Sequence, residues 1–171
     1  MTKLKIIMIG PEQSGKSVIA NYLHDPTKES PRPYRPTQGA RILELERDVA
    51  IDGGEKRVSI QLWDISGNLR HEHLWSLFQE DADGVILVSN ADRHGQKDEI
   101  EGWVNNFPVK MKLSPTQVLG LANHPSGRDF NPGENTSMFN IDFIDCSFET
   151  RGSTLGPLFE GLVQKLVRNS K

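Results

Sequence analysis

Residues 6–23 read IIMIGPEQSGKSVIANYL, and this stretch decides the fold. Residues 4–9 form an unbroken apolar run, the pattern of a strand buried on both faces. Val18, Ile19, Tyr22 and Leu23 then recur at helical spacing. Between the two lies Gly10-x-x-x-x-Gly15-Lys16-Ser17, the phosphate-loop pattern, in the strand-to-helix context its mechanism requires. The glycines let the backbone curl so that its N–H groups point at a phosphate. The helix beginning near Gly15 adds the positive end of its dipole. Lys16 is expected to bridge β- and γ-phosphate oxygens, and the Ser17 hydroxyl to ligate Mg²⁺. Gln13, Ser14, Gly15 and Val18 complete the expected phosphate cradle. Glu12 is the odd member, a negative side chain placed where phosphates would sit.

Outward from this loop, residues 25–39, DPTKESPRPYRPTQG, hold four prolines and read as a long loop. Leu43, Leu45, Val49 and Ile51 alternate with polar residues, as do Val58, Ile60 and Leu62, and IDGGEKR between them supplies hairpin-turn glycines. Leu74, Leu77 and Phe78 predict a helix after Gly67. GVILVSN, 84–90, is a buried strand. Ile100, Trp103, Val104 and Phe107 place a helix near 97–107. Val118–Ala122 and Ile141–Cys146 read as the fifth and sixth strands. Leu155, Leu158, Phe159, Leu162, Val163 and Leu166 form the apolar stripe of a last helix. Strands alternating with helices imply an α/β fold, a mostly parallel six-stranded sheet with helices on both faces. HPSGRDFNPGENTSMF has no helical period, so the helix expected between the fifth and sixth strands is lost or reduced to a turn.

The 171 residues suit one domain spanning 1–171. At that size folding buries roughly 70% of the unfolded chain's surface. A net charge of −3 gives no reason to expect nucleic acid or an anionic membrane as partner. The single cysteine, Cys146, cannot form an internal disulfide, which fits a reducing cytoplasmic setting and a small buried apolar role. No apolar run reaches the ~18 residues of a membrane helix. Neither end carries a signal for lipid attachment, so no direct membrane anchor is expected.

A second motif, Trp63-Asp64-Ile65-Ser66-Gly67, closes the third strand. A carboxylate at a strand's C-terminal end, opposite a phosphate loop, suits Mg²⁺ held through water, and the Gly67 N–H suits a γ-phosphate. Thr37, in the proline-rich loop, reads either as a second Mg²⁺ hydroxyl or as a solvated loop residue.

Phosphate loop, loop threonine, hairpin strands and WDISG stand in the order and spacing of the Ras-like small GTPases, Rab branch, which the whole chain resembles. The resemblance implies GTP or GDP with Mg²⁺, one antiparallel edge strand, and switch segments at about 26–40 and 65–80. GPEQSGKS, PTQGARILELE, LWDISGN and VSNAD look more narrowly like the Rab-like subunits of intraflagellar transport complex B. That likeness implies a coiled-coil heterodimer of transport subunits as partner, and a place in the cytoplasm, the cilium or flagellum and its base.

The departures from the small-GTPase pattern carry as much information. The family's guanine-reading N-K-x-D is Asn123-His124-Pro125-Ser126 here. Its aspartate becomes Ser126, and its ring-packing lysine becomes His124, which reads equally as a ring-packing group or an exposed loop histidine. The later S-A-K loop is Ser147-Phe148-Glu149, of which Ser147 survives and the Phe148 N–H remains able to reach guanine O6. The water-orienting glutamine is Asn68, one methylene shorter. The glycine that leaves it room is Glu12, which either crowds the γ-phosphate or points to solvent. These changes predict very slow or absent GTP hydrolysis and no confident catalytic residue. The alternative is a competent GTPase acting as a regulatory switch with a partner-supplied arginine. A scaffold with structural or no nucleotide is a third reading, and a nucleotide kinase a weak fourth. For a protein partner, Arg32, Tyr34 and Arg35 in the first switch segment and Leu69, Arg70 and Trp75 in the second are the expected anchors, aromatics and arginines being interface formers. Trp75 also reads as a core residue.

Overall fold

The computed structural model describes residues 1–28, 35–127, 135–147 and 154–170. Its strands are β1 (Thr2–Ile9), β2 (Ala40–Ile51), β3 (Gly54–Ile65), β4 (Gly84–Asn90), β5 (Val118–Asn123), β6 (Asn135–Met138) and β7 (Ile141–Cys146). They form one sheet in the order β2-β3-β1-β4-β5-β7-β6. The five inner strands run parallel, and β2 and β6 pair antiparallel at the two edges.

Helices α1 (Lys16–His24), α2 (Trp75–Gln79), α3 (Lys97–Val104) and α4 (Leu155–Asn169) cover it. The period-2 rule of a strand explains why two cores form. From β1, Ile6 and Met8 enter one cluster with Ile19 and Leu23 of α1 and Phe159, Leu162, Val163 and Leu166 of α4. Ile7 and Ile9 face the other way, toward Trp75 and Phe78 of α2 and Ile100 and Trp103 of α3.

The expected fold class is borne out, with three corrections of detail. First, the sheet has seven strands and two antiparallel edges, where six strands and one such edge were expected. Phe139 and Asn140 both adopt positive φ, 55° and 59°, a two-residue turn that folds β6 back onto β7. Among the described residues no helix lies between β5 and β7, and residues 128–134 of the stretch expected to lack one lie outside the described residues. Second, the helix near 97–107 keeps α-helical geometry only to Val104. A wider turn over Asn105–Val109 follows and contains Pro108, with Lys110 N donating to Asn105 O at 3.2 Å. Pro108 has no N–H to place in an α-helical ladder. Third, the helix after Gly67 is a 3₁₀ turn, Leu69–Leu74, leading into the short α2, and Leu77 is 57% exposed rather than in the core.

Trp75 is likewise corrected as a partner anchor. It is 8% exposed, and its ring packs 5.0 Å from Trp103 and 5.1 Å from Phe107. Three large rings at offset angles exclude water well, and that burial outweighs any surface role for the indole.

Candidate nucleotide site

The C-terminal ends of β1, β3, β4, β5 and β7 converge on one side of the sheet, where open α/β sheets place their ligands. The loop after β1 carries Gln13 at φ 59° and Gly15 at φ 92°, the left-handed turns that point successive N–H groups into one concavity. Gln13, Ser14, Lys16, Ser17, Thr37 and Gly67 all line the same pocket, together with Gly15, Val18 and Glu12. Gly67 is required by contact: a Cβ there would stand 2.4 Å from the Glu12 nitrogen and 2.6 Å from the Pro11 carbonyl carbon. The backbones of the two motifs therefore touch.

Lys16 is buried, and its Nζ donates to Gly10 O at 2.8 Å and Pro11 O at 2.7 Å. Burial pushes its pKa down to about 8, against the opposing pull of Asp64 and Glu12. An ammonium ion held in so dry a place gains strongly from an added anion.

Beside it, three oxygens meet. Ser17 Oγ donates to Asp64 Oδ2 at 2.6 Å and lies 2.8 Å from Thr37 Oγ1. Thr37 thus stands in the site rather than in solvent. The Asp64 carboxyl is fully buried, and its Oδ1 is without a hydrogen-bond partner among the described residues. A cluster of hard oxygens with an orphaned buried carboxylate atom fits a Mg²⁺ ion, held directly by the hydroxyls and through water by Asp64.

Asn123 closes β5 and its Nδ2 donates to Ser14 O at 2.9 Å, tying the loop after β5 to the phosphate loop. His124 is neither an exposed loop histidine nor free to swing. Its Nδ1 lies 3.2 Å from Asp92 Oδ1 and its Nε2 2.7 Å from Asp145 Oδ1. Asp92 Oδ2 accepts from the Ser126 N–H at 2.8 Å, and Ser147 Oγ donates to His124 O at 2.8 Å. Burial opposes ionisation of Asp92, but the Ser126 and His124 hydrogen bonds outweigh it and hold the carboxyl below its usual range. Phe148 lies outside the described residues, as do Arg32 and Tyr34.

At the catalytic positions, Asn68 Nδ2 donates to Glu12 Oε1 at 3.1 Å, so Glu12 is exposed but engaged. Among the partner-face residues, Leu69 is 57% exposed, and Arg35 and Arg70 are exposed as well. Arg70 Nη2 donates to Gln38 Oε1, linking the two switch segments.

Sequence reasoning missed three residues here. Asp92 and Asp145 were legible only as carboxylates near the C-terminal ends of β4 and β7. Arg41 lay within the PTQGARILELE stretch, but nothing in that stretch showed that its Nη2 stands 3.1 Å from Asp64 Oδ2.

Fold and site together define a P-loop domain of the small-GTPase class. A family profile described as "Ras of Complex, Roc, domain of DAPkinase" matches residues 5–124. The chain is 33% identical over 172 residues to the intraflagellar transport protein 22 homolog of Danio rerio, covering 98% of this chain and 92% of that one. It is 28% identical over 194 residues to intraflagellar transport protein 22 of Trypanosoma brucei, covering 96% and 86%. In structure it is similar to a chain of the GTP-bound crystal structure of T. brucei IFT22/74/81, with a TM-score of 0.78, 27% identity, and 99% and 98% of the two chains covered. The chain belongs to the Ras-like small-GTPase family, among its Rab-like intraflagellar transport 22 members.

Proposed function

We propose that this chain, as a single domain over residues 1–171, is an atypical guanine-nucleotide-binding subunit of the intraflagellar transport machinery. In this reading it binds GTP or GDP with Mg²⁺, hydrolyses GTP very slowly or not at all, and docks on a coiled-coil heterodimer of transport subunits through its switch segments. It acts in the cytoplasm and at the cilium or flagellum and its base.

The observation that carries this reading is the contrast within one pocket. The phosphate side is complete: Lys16 is buried and aimed into the loop, and Ser17, Thr37 and Asp64 converge within hydrogen-bond distance. The water-orienting side is not, because Asn68 is bonded to Glu12. Mg²⁺, when bound, supplies charge neutralisation of the β- and γ-phosphates. Ser17 and Thr37 present hydroxyls to that position, and the fully buried Asp64 orients them. Lys16 holds phosphate charge in a place water does not reach. Relatives named for intraflagellar transport, and a structural neighbour described as GTP-bound with IFT74 and IFT81, support the assembly and the nucleotide.

The test is to identify the nucleotide that co-purifies with the wild-type protein, and then to measure GTP and GDP binding by calorimetry for wild type and Lys16→Ala. Guanine nucleotide in the first, and a loss of about 2–4 kcal/mol in the second from stranding phosphate charge, are expected. Equal affinity of the variant would refute the phosphate assignment.

A further inference from the structure

We propose that Arg41 is a resident cation of the nucleotide site, sharing with Mg²⁺ the neutralisation of Asp64, so that nucleotide affinity depends little on the metal. The inference rests on the nucleotide-binding reading above and adds a residue to it.

The placement follows from sheet register. Arg41 is the second residue of β2, and the antiparallel ladder sets it directly opposite Asp64 of β3. Directly opposed residues on an antiparallel pair project from the same face, so the two side chains must meet. They do: Arg41 Nη2 stands 3.1 Å from Asp64 Oδ2, and 3.4 Å from the backbone oxygen of Ser17. The same Asp64 oxygen takes the Ser17 hydroxyl at 2.6 Å and faces Thr37 Oγ1 at 3.4 Å. Arg41 therefore reaches into the oxygen cluster itself.

Two unpartnered atoms point beyond a strand-to-strand ion pair. Arg41 Nε and Asp64 Oδ1 are both buried, and neither has a hydrogen-bond partner among the described residues. The Arg41 side chain is 39% exposed and reaches Ser17 O, so the guanidinium keeps terminal donors that suit a phosphate oxygen as second partner. Asp64 is fully buried, so its negative charge must be met by a cation nearby, and Arg41 meets it from within the chain. Where a protein has only a serine, a threonine and an aspartate, a divalent ion is the sole neutralising charge beside the loop lysine. Here part of that duty is covalently attached, and the ion adds correspondingly less.

The experiment measures GDP and GTPγS binding by calorimetry in Mg²⁺ and in EDTA, for wild type, Arg41→Gln and Arg41→Lys, with folding checked by circular dichroism. Wild type should weaken by less than about tenfold on removing Mg²⁺, whereas Arg41→Gln should weaken by at least about tenfold more than wild type, the scale on which an unpaired buried charge lowers affinity. Arg41→Lys, which keeps the charge, should follow wild type. A purely structural ion pair would lower the melting temperature of Arg41→Gln while leaving its Mg²⁺ dependence equal to that of wild type, and that result overturns the proposal. So does a wild-type loss of tenfold or more in EDTA, a measurement that stands even if Arg41→Gln fails to fold. Absence of binding by wild type in Mg²⁺ is a different result: it removes the nucleotide reading, and this inference with it.

Discussion

Asn68 and Glu12, the two residues that replace the family's catalytic glutamine and its neighbouring glycine, are hydrogen-bonded to each other: Asn68 Nδ2 donates to Glu12 Oε1 at 3.1 Å. The other end of the same amide is also engaged, because Asn68 Oδ1 accepts from Arg70 N at 3.0 Å and caps the Leu69–Leu74 turn. Asparagine is among the best N-caps, so this side chain is held by local structure as well as by Glu12. Neither end is left to orient an attacking water. Intrinsic hydrolysis is therefore expected below the ordinary small-GTPase rate of roughly 10⁻⁴ s⁻¹. Asn68→Gln alone should leave the rate low, since the Glu12 carboxylate still captures the amide. Asn68→Gln combined with Glu12→Gly should raise it by about tenfold or more, because misplacement by 1 Å can cost about a hundredfold. Single-turnover phosphate release decides the matter, and full recovery in Asn68→Gln alone would show that Glu12 is a bystander.

The base end makes a separate prediction. Ser126 lacks the carboxylate that reads guanine in the family, but Asp92 fixes the turn that carries it, through the Ser126 N–H and His124. Guanine discrimination then depends on backbone groups around 123–126 and 147 being held in place. Asp92→Ala should reduce the preference for GTP over ATP by about tenfold, the size of one hydrogen bond to a charged group. Competition binding reads this directly. An unchanged preference, with native stability, would place discrimination elsewhere.

Cys146 offers a pH test on the chain's only thiol. Burial first, then the nearby Asp145 carboxylate, pushes its pKa up to about 12. The folded value lies above the unfolded one, so the neutral thiol's contribution is fully present below about pH 9. It is lost as pH rises from there toward about 12. The stability advantage of wild type over Cys146→Ala in urea unfolding should therefore shrink between pH 8 and pH 10.5. In the native protein at pH 8 a disulfide reagent should label nothing, and in denaturant one thiol. Rapid native labelling would contradict the burial.

How far these features could be read from sequence depended on what enforced them. Strand 84–90 was legible to the residue, because a strand buried on both faces is a solid apolar run between polar breaks, and 141–146 was legible because Ile141, Phe143 and Ile144 supply enough apolar character around Asp142 and Asp145. Ser17, Thr37 and Asp64 were legible because a fixed backbone geometry demands those residue types at those positions. β6 was not, since four short residues in a Gly-, Pro- and Asn-rich stretch pair only by virtue of the Phe139–Asn140 turn. Trp75 was ambiguous because a lone indole after a loop serves a core or an interface equally well, and only the approach of Trp103 and Phe107 decides. Arg41 was invisible, because its role comes from cross-strand register with Asp64, which no local pattern records.

The partner surface yields the last prediction. With Trp75 in the core, the second switch segment presents Leu69 and Leu77, each 57% exposed, beside exposed Arg70. Ile42 on the edge strand β2 adds a further exposed apolar side chain, at 46%. Arg35 stands exposed two residues before Thr37, and Arg70 bonds to Gln38, which ties the second segment to the first. Apolar anchors flanked by arginines suit the groove and charged flanks of a two-helix coiled coil. Arg35→Glu and Arg70→Glu should each weaken capture of a coiled-coil transport heterodimer about tenfold or more, because reversing a charge at an interface replaces attraction with repulsion. Lys165→Glu, on the exposed side of α4 across the sheet, should bind as wild type does. Trp75→Ala separates docking from folding: it should cost about 3–5 kcal/mol of stability through the cavity it leaves. Both readouts come from a pull-down run beside thermal melts. Switch variants that bind normally while Lys165→Glu fails would move the interface to α4 and end the switch-face reading.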